Sequence, residues 1–593
     1  MNEESKSIWK KSWQGCSRWF RAWLIVVAAT FSIVLIVTLF IPGGPRSFSD
    51  WWPALVFMLV VSAVVATVFF GLWAFIRCFF SWRNFKRLLF GLACFATLIA
   101  LFYVEEDWRG WHAWNQYQRT EEAKGGKFDF KDFLPAVVPD DENFAMTPVV
   151  ASSYNYILTR DGKKIPSGQR DTNLVNRMDF NLGDANWNTN GTGSWVAGTL
   201  SNLRPWQELY RDLAIKTNLF PVPPQPQAPA ADVLLALSRC DNAIEELRQA
   251  GLLPKSRYPL DYETENPAEI LLPHLWELKK SSLLLRLRAI AELQNDQSEK
   301  AAADVTLGFR LIEAIRTEPI MISHLVRIAM NEIILQPIYE GLANHQWTDA
   351  QLVTLDSELA KLDFPADCQL VQKSEIAFNV SEIDYLRHHR DYDSMFAGMG
   401  VNHPADSKIE SLIYRYAPSG WFFQSAMREC RVLMQYGFAV ENDTKTISPR
   451  KTDQAVQAEK SARAKVGVFD ALNCLRKAFD SDLLSSGNFL KKTARAQDSV
   501  NLARTAIALE RYRLAHAEFP ESLDALAPQF IAKVPHDVIG GQPLKYRRTS
   551  DGQFVLYSVG WNEKDDGGVT GYRKGGTAPD FDSGDWVWRY PAK

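Results

Sequence analysis

The uninterrupted apolar run Trp23–Ile41 (WLIVVAATFSIVLIVTLFI) constrains this chain more than any other feature of its sequence. At about 1.5 Å of helical rise per residue it covers nearly all of a ~30 Å hydrocarbon layer. A second run follows from Ala54 to Ile76 and a shorter third from Leu88 to Val104. Backbone amides find no water in lipid, so all three are expected to be transmembrane helices. A cleaved signal peptide accounts poorly for the first run. Its apolar core is long, Pro42-Gly43-Gly44-Pro45 offers no small-x-small cleavage site, and further spans follow.

Basic residues in short flanks mark the cytoplasmic side of a membrane. Lys10, Lys11, Arg18 and Arg21 precede the first run, and Arg77, Arg83, Lys86 and Arg87 separate the second from the third. The loop between the first two runs holds only Arg46. The N-terminus is therefore expected inside, and three crossings put everything after Val104 outside. Trp9, Trp13, Trp19 and Trp23, and then Trp108, Trp111 and Trp114, suit aromatic belts at headgroup level, the second set equally suiting helix core contacts.

Residues 1–104 thus read as a membrane anchor, with the lipid bilayer as its first partner. Residues 105–125 keep helical spacing of Trp and Tyr and read as a juxtamembrane helical stalk ending at Gly125-Gly126. Residues 126–220 are turn-rich, and 221–230 (PVPPQPQAPA) form a Pro-rich linker. Residues 231–488 carry amphipathic helical patterns, as in Leu283, Leu284, Leu287, Ile290 and Leu293, and read as an α-helical domain. In 489–593 the pattern passes from helix to strand. Leu544–Arg547 and Phe554–Val559 flank Ser550-Asp551-Gly552, a hairpin signal in which Gly552 supplies the positive φ. The fold class expected is multi-domain: three N-terminal transmembrane helices, a mainly α-helical extracytoplasmic region and a small C-terminal α+β module.

A net charge of −3 in 593 residues gives no basic footprint, which disfavours nucleic acid as a partner. Seven cysteines without a C-x-x-C pair argue against a structural zinc site or a thioredoxin-like centre. Cys240, Cys368, Cys430 and Cys474 would face an oxidising space, where pairing is allowed, but buried free thiols are the expectation.

The last ~95 residues resemble the globular module of type II secretion major pseudopilins, which run from a helix through Y-x-L and P-x-x-L to P-x-D, G-x-P-L-x-Y, L-Y-S-x-G and a Gly/Asp-rich end closed by Trp. Tyr512, Leu514, Pro520, Leu523, Pro535, Asp537, Gly541, Pro543, Tyr546, Leu556, Tyr557, Ser558, Gly560, Gly567, Gly568, Asp585 and Trp586 carry the match. A pseudopilin begins with one membrane helix used for polymerisation, whereas three apolar runs and a long helical region come first here. The resemblance therefore implies a similar α+β module and not a filament subunit. It also implies calcium as a cofactor of the terminal loop, with Asn562, Asp566, Asp580, Asp582 and Asp585 as metal ligands alongside backbone carbonyls. Asn562 stands where the family has an aspartate, and a solvated turn is the competing reading. A longer stretch, with DWRGWHAWNQYQ, DDENFAMTP, LLPHLWELK and AMNEIILQPIYEGLANHQWTDAQL, resembles uncharacterised membrane-anchored proteins of planctomycete and verrucomicrobial bacteria. That likeness implies the bacterial inner membrane as location.

His388 and His389 in LRHHRDYD stand at i,i+4 spacing to Asp384 and Asp393, but two ligands make no metal site, and a solvated charged helix end is expected. His274, His324 and His345 sit singly in helical stretches and read as core-edge or capping residues. H-E-x-x-H, G-x-S-x-G, Walker A and G-x-G-x-x-G are all absent from the sequence, so no catalytic residue is nominated. The function expected is a non-catalytic scaffold or protein-interaction role with envelope proteins as partners. An extracytoplasmic hydrolase, and an accessory part of a secretion or pseudopilus-like system, stay open beside it.

Overall fold

The computed structural model describes residues 20, 22–33, 35–36, 48–78, 82–152, 156–158, 164–166, 178, 191–390, 415–441, 443–464, 486–574 and 579–590. Two compact units emerge, one of Met1–Gln116, His403–Ser425 and Lys460–Lys477, the other of Tyr117–Asn402, Ala426–Glu459 and Ala478–Lys593.

The first unit holds helix α1 (Phe48–Cys78) and most of α2 (Trp82–Glu122). Among the described residues one helix is long and apolar enough to cross a membrane, Phe85–Glu122, and none of its apolar window is buried by protein. Ala22–Ile33 and, within α1, Leu59–Trp73 are shorter apolar helices. Three spanning helices are expected from the sequence; among the described residues one helix is long and apolar enough to span, not three, and the first two runs contain only the shorter apolar helices. Parts of the first run, 37–41 among them, lie outside the described residues, as do Trp9, Trp13 and Trp19.

Past Val104, α2 continues without a proline to Glu122, and Gly125 then takes a φ of +89 that only glycine adopts without strain. In the same unit α2 meets the start of α11, the helix Ser419–Gly437. A Cβ on Gly110 would sit 2.2 Å from the Gly420 carbonyl oxygen, so both positions need a residue without a side chain. The Asp107 carboxylate accepts the Gly420 amide at 2.8 Å, which caps the new helix. Glu106, 8% exposed, accepts Arg109 Nη2 at 2.6 Å and Trp421 Nε1 at 3.0 Å. Burial raises its carboxyl, but these donors outweigh burial and leave it below the ordinary glutamate value.

The second unit is mainly helical: α3 (Arg204–Thr217), α4 (Pro229–Leu237), α5 (Asp241–Gly251), α6 (Pro273–Gln294), α7 (Ser298–Glu313), α8 (Met321–Ala343), α9 (Asp349–Leu359), α10 (Phe364–His389), α12 (Pro449–Ala464) and α13 (Ser486–His516). The Pro-rich stretch is tied down, since Gln207 Nε2 donates to Gln227 O at 3.0 Å and Pro229 opens α4 at a position needing no amide hydrogen. Helices α6, α7 and α8 pack on one another, and α8, α9 and α10 all pack on α13. Leu284, Leu311, Ile334, Leu335, Ile338, Leu352 and Val500 are wholly buried there. At about 1.5–3 kcal/mol each, such side chains supply most of the drive to assemble the stack.

Two short hairpins, β1–β2 (Tyr156–Leu158, Lys164–Pro166) and β3–β4 (Val440–Glu441, Thr446–Ile447), precede the C-terminal strands. There β5 (Lys545–Arg548), β6 (Phe554–Ser558) and β9 (Trp586–Arg589) form an antiparallel sheet in the order β5-β6-β9. Strands β7 (Thr570–Tyr572) and β8 (Pro579–Gly584) pair separately. Gly552 takes a φ of +77 in the β5–β6 turn, and Arg548 pairs with Phe554 as the hairpin signal requires. Helix α13 packs on β6 and β9 as well as on the helical stack, so segments that read as separate in sequence share one core.

Candidate functional site

Helix α10 begins with Asp363 accepting the Ala366 amide at 3.1 Å and ends at Arg390, whose φ of 56 stops it. Arg387, His388 and His389 fill its last turn, where basic groups complement the helix dipole. This end of α10 forms one wall of a groove of about 940 Å³ within the second unit. Segment 126–132 and loop 262–270 supply the other walls, with Gln118 and Glu122 at the margin. Both segments are short capped turns: Asp129 accepts Lys131 N at 2.9 Å, and Asn266 accepts Ala268 N at 3.1 Å.

Six carboxylates, Glu122, Asp129, Asp132, Glu263, Glu265 and Asp384, line the groove against two lysines, Lys127 and Lys131. Asp384 takes Arg387 at 2.7 Å, and Glu265 faces His389 Nε2 at 3.2 Å. The ring of His389 stacks on Tyr385 with centroids 4.1 Å apart. Phe130, Tyr262 and Ile270 belong to a buried apolar cluster with Ile320 and Ala377, and their edges form the floor. A concave surface of this volume with a negative field and an aromatic floor favours a cationic group that also has apolar surface.

Behind the floor lies a buried polar centre. Glu318 accepts Ser323 Oγ at 2.5 Å and meets His274 Nε2 at 2.7 Å, and its carbonyl meets His324 Nε2 at 3.1 Å. Tyr258 stacks on His274 at 4.0 Å. Burial, reinforced by the Glu318 charge, raises the Tyr262 phenol. Burial and the neighbouring Arg327 hold His324 well below the usual imidazole value. The order is hydroxyl, carboxylate, imidazole, so the serine donates to the acid rather than to a histidine base. That differs from a nucleophile activated by an oriented imidazole.

No protein family, curated protein or solved structure matches this chain. The site rests on its own geometry.

The terminal loop distributes its acids among separate partners. Asp585, 1% exposed, accepts Gly568 N at 2.6 Å and Asp566 N at 3.2 Å, and burial nonetheless raises its carboxyl. Asn562 Nδ2 donates to Asp566 at 2.8 Å. Asp580 accepts Ser583 Oγ at 2.9 Å and Asp582 N at 3.2 Å, while Asp582 pairs with Lys491. Among the described residues no three His, Cys, Asp or Glu side chains converge as a metal would require.

His274 and His324 are core residues, 0% and 2% exposed, and His345 bonds Glu510 at 3.0 Å. His388 and His389 line the groove, while Asp393 lies outside the described residues. Sequence reasoning missed the Glu318 centre and a second buried pair, Asp498 and Asp537, which organises the junction of α13 with the sheet. Asp498 accepts Val538 N and Ser558 Oγ, each at 2.9 Å, and Asp537 accepts Ile539 N at 2.8 Å and Val559 N at 3.0 Å.

Proposed function

We propose that the chain is a membrane-anchored envelope protein with a non-catalytic interaction role, held by helices at Trp23–Ile41, Ala54–Ile76 and Leu88–Val104. Its N-terminus lies inside and its helical region outside, and the acidic groove takes a basic, partly apolar segment of another envelope protein. The observation that carries this reading is the excess of six carboxylates over two lysines around an aromatic floor. An apolar floor supplies affinity and the surrounding charge supplies selection and encounter rate.

The test is a photoreactive residue at Thr264 of the full-length chain, irradiated in intact cells. A discrete protein adduct that weakens with added salt, and is lost on combining Glu263→Lys with Glu265→Lys, supports the proposal. An adduct indifferent to both charge reversals and salt, or none at all, overturns it.

A further inference from the structure

A second groove, of about 450 Å³, lies between α5, α7 and α9, within the second unit and apart from the acidic one. Its walls carry Leu252, Ala302, Ala303, Leu307 and Ala350, with threonines at 306 and 354. Leu252 is 77% exposed, an apolar side chain left standing in water at the rim. Two arginines, Arg248 and Arg310, also line the groove, and their charges are balanced differently.

Arg248 is neutralised. It pairs with buried Asp304 and with Glu245 at 3.2 Å. Arg310 instead donates Nε to Gly251 O at 3.0 Å and Nη2 to Leu253 O at 2.7 Å, and its guanidinium lies 5.1 Å from the Phe144 ring centre. Those partners are neutral. The carboxylates that act on it, Glu313 and Glu358, are engaged by Arg316 and Arg327 and by Lys361. Among the described residues no carboxylate is in ion-pair contact with Arg310. Burial accordingly lowers its pKa from the ordinary arginine value, the mark of a guanidinium short of compensating charge. A bound anion would form charge-assisted hydrogen bonds with it and supply that charge.

Size decides between classes of ligand. Eleven residues line the groove, whereas a stable protein partner engages about 20–30 on each side. The volume falls within the ~300–1,000 Å³ of small-ligand sites, which are mostly apolar with a few orienting polar groups. We propose that this groove binds an anionic amphiphile, an apolar chain ending in a carboxylate or phosphate, with Arg310 taking the head and the alanines and leucines covering the chain. A bilayer lipid and a free fatty acid share this chemistry.

The experiment uses the full-length chain in phosphatidylcholine nanodiscs with a diazirine-bearing long-chain fatty acid as photoprobe. Labelled peptides are mapped by mass spectrometry. Adducts are expected on Ala302–Leu307 and Ala350–Thr354. Oleate should displace the probe at about tenfold lower concentration than oleyl alcohol, the worth of one charge-assisted contact. Arg310→Gln should abolish that preference, and Arg310→Lys should retain part of it. Ala303→Trp, at an exposed position, should fill the groove and remove the adducts without moving the melting temperature. If phosphatidylglycerol in the disc suppresses labelling, the natural ligand is a bilayer lipid; if only free oleate does so, it is a fatty acid. Equal competition by the alcohol, adducts elsewhere on the second unit only, or labelling untouched by Ala303→Trp overturns the proposal.

Discussion

Arg327 Nη1 donates to Asp367 Oδ2 at 3.0 Å with the arginine side chain wholly withdrawn from solvent. The same guanidinium reaches Ile312 O at 3.1 Å and Glu313 at 3.3 Å, so α7, α8 and α10 meet at one charge. Such a group is tolerable in the core only while its partners are present.

Asp367→Ala should therefore destabilise the chain by about 3 kcal/mol, because it leaves the buried Arg327 cation with Glu313 as its one remaining carboxylate partner. Arg327→Met with Asp367→Leu should cost less than the sum of the single changes. Urea unfolding of Asp367→Ala, of the single variants Arg327→Met and Asp367→Leu, and of their double variant measures this; strict additivity would refute the coupling.

Burial, and then the neighbouring Asp537 carboxylate, holds Asp498 well above the ordinary aspartate value. The unfolded chain loses this proton near pH ~4 while the folded chain keeps it, so the contribution is full below that pH and declines as pH rises toward the folded value. The slope is up to about 1.4 kcal/mol per pH unit. Asp498→Asn should flatten it and be relatively more stable at alkaline pH. Parallel stability profiles for variant and parent would show that this proton does not titrate with folding.

Asp107→Ala removes the cap on α11 and should cost about 1 kcal/mol locally. Hydrogen exchange at Gly420–Phe423 should then run about fivefold faster. Unchanged protection there would mean that the capping bond contributes nothing.

Cys240, Cys368 and Cys430 are buried free thiols. Burial pushes Cys240 up to about 11 and Cys368 up to about 12. A water-soluble maleimide should leave all three unmodified in the native chain and label them in denaturant. Rapid native labelling of any would contradict its burial. Cys16 and Cys474 lie outside the described residues.

For the proposed topology, an alkaline phosphatase reporter fused after Asp107 should be active and a cytoplasmic reporter at the same point silent. The reverse pattern would refute an outward helical region.

Features governed by local chain chemistry were legible in sequence: the apolar runs, the stop at Gly125, and the β5–β6 hairpin with Gly552 at its tip. Buried polar groups were not, because each is a lone charge inside an apolar pattern. Asp304 in AAADVTLGF and Arg327 in SHLVRIAMNEII interrupt helical faces that otherwise read as core, and that interruption was the available signal. The acidic groove was hidden for another reason. Its walls come from residues near 126–132, 262–270 and 380–389, and no spacing rule connects segments so distant in the chain.

Helix α13 begins at Ser486, yet α8, α9 and α10 lay apolar faces against it. During synthesis those three helices emerge long before the surface that covers them. The core of the second unit closes only when α13 has been made, through contacts of long sequence separation. A ribosome that stalls before residue 486 leaves a chain with its stickiest surfaces uncovered, a natural substrate for quality-control proteases and holding chaperones.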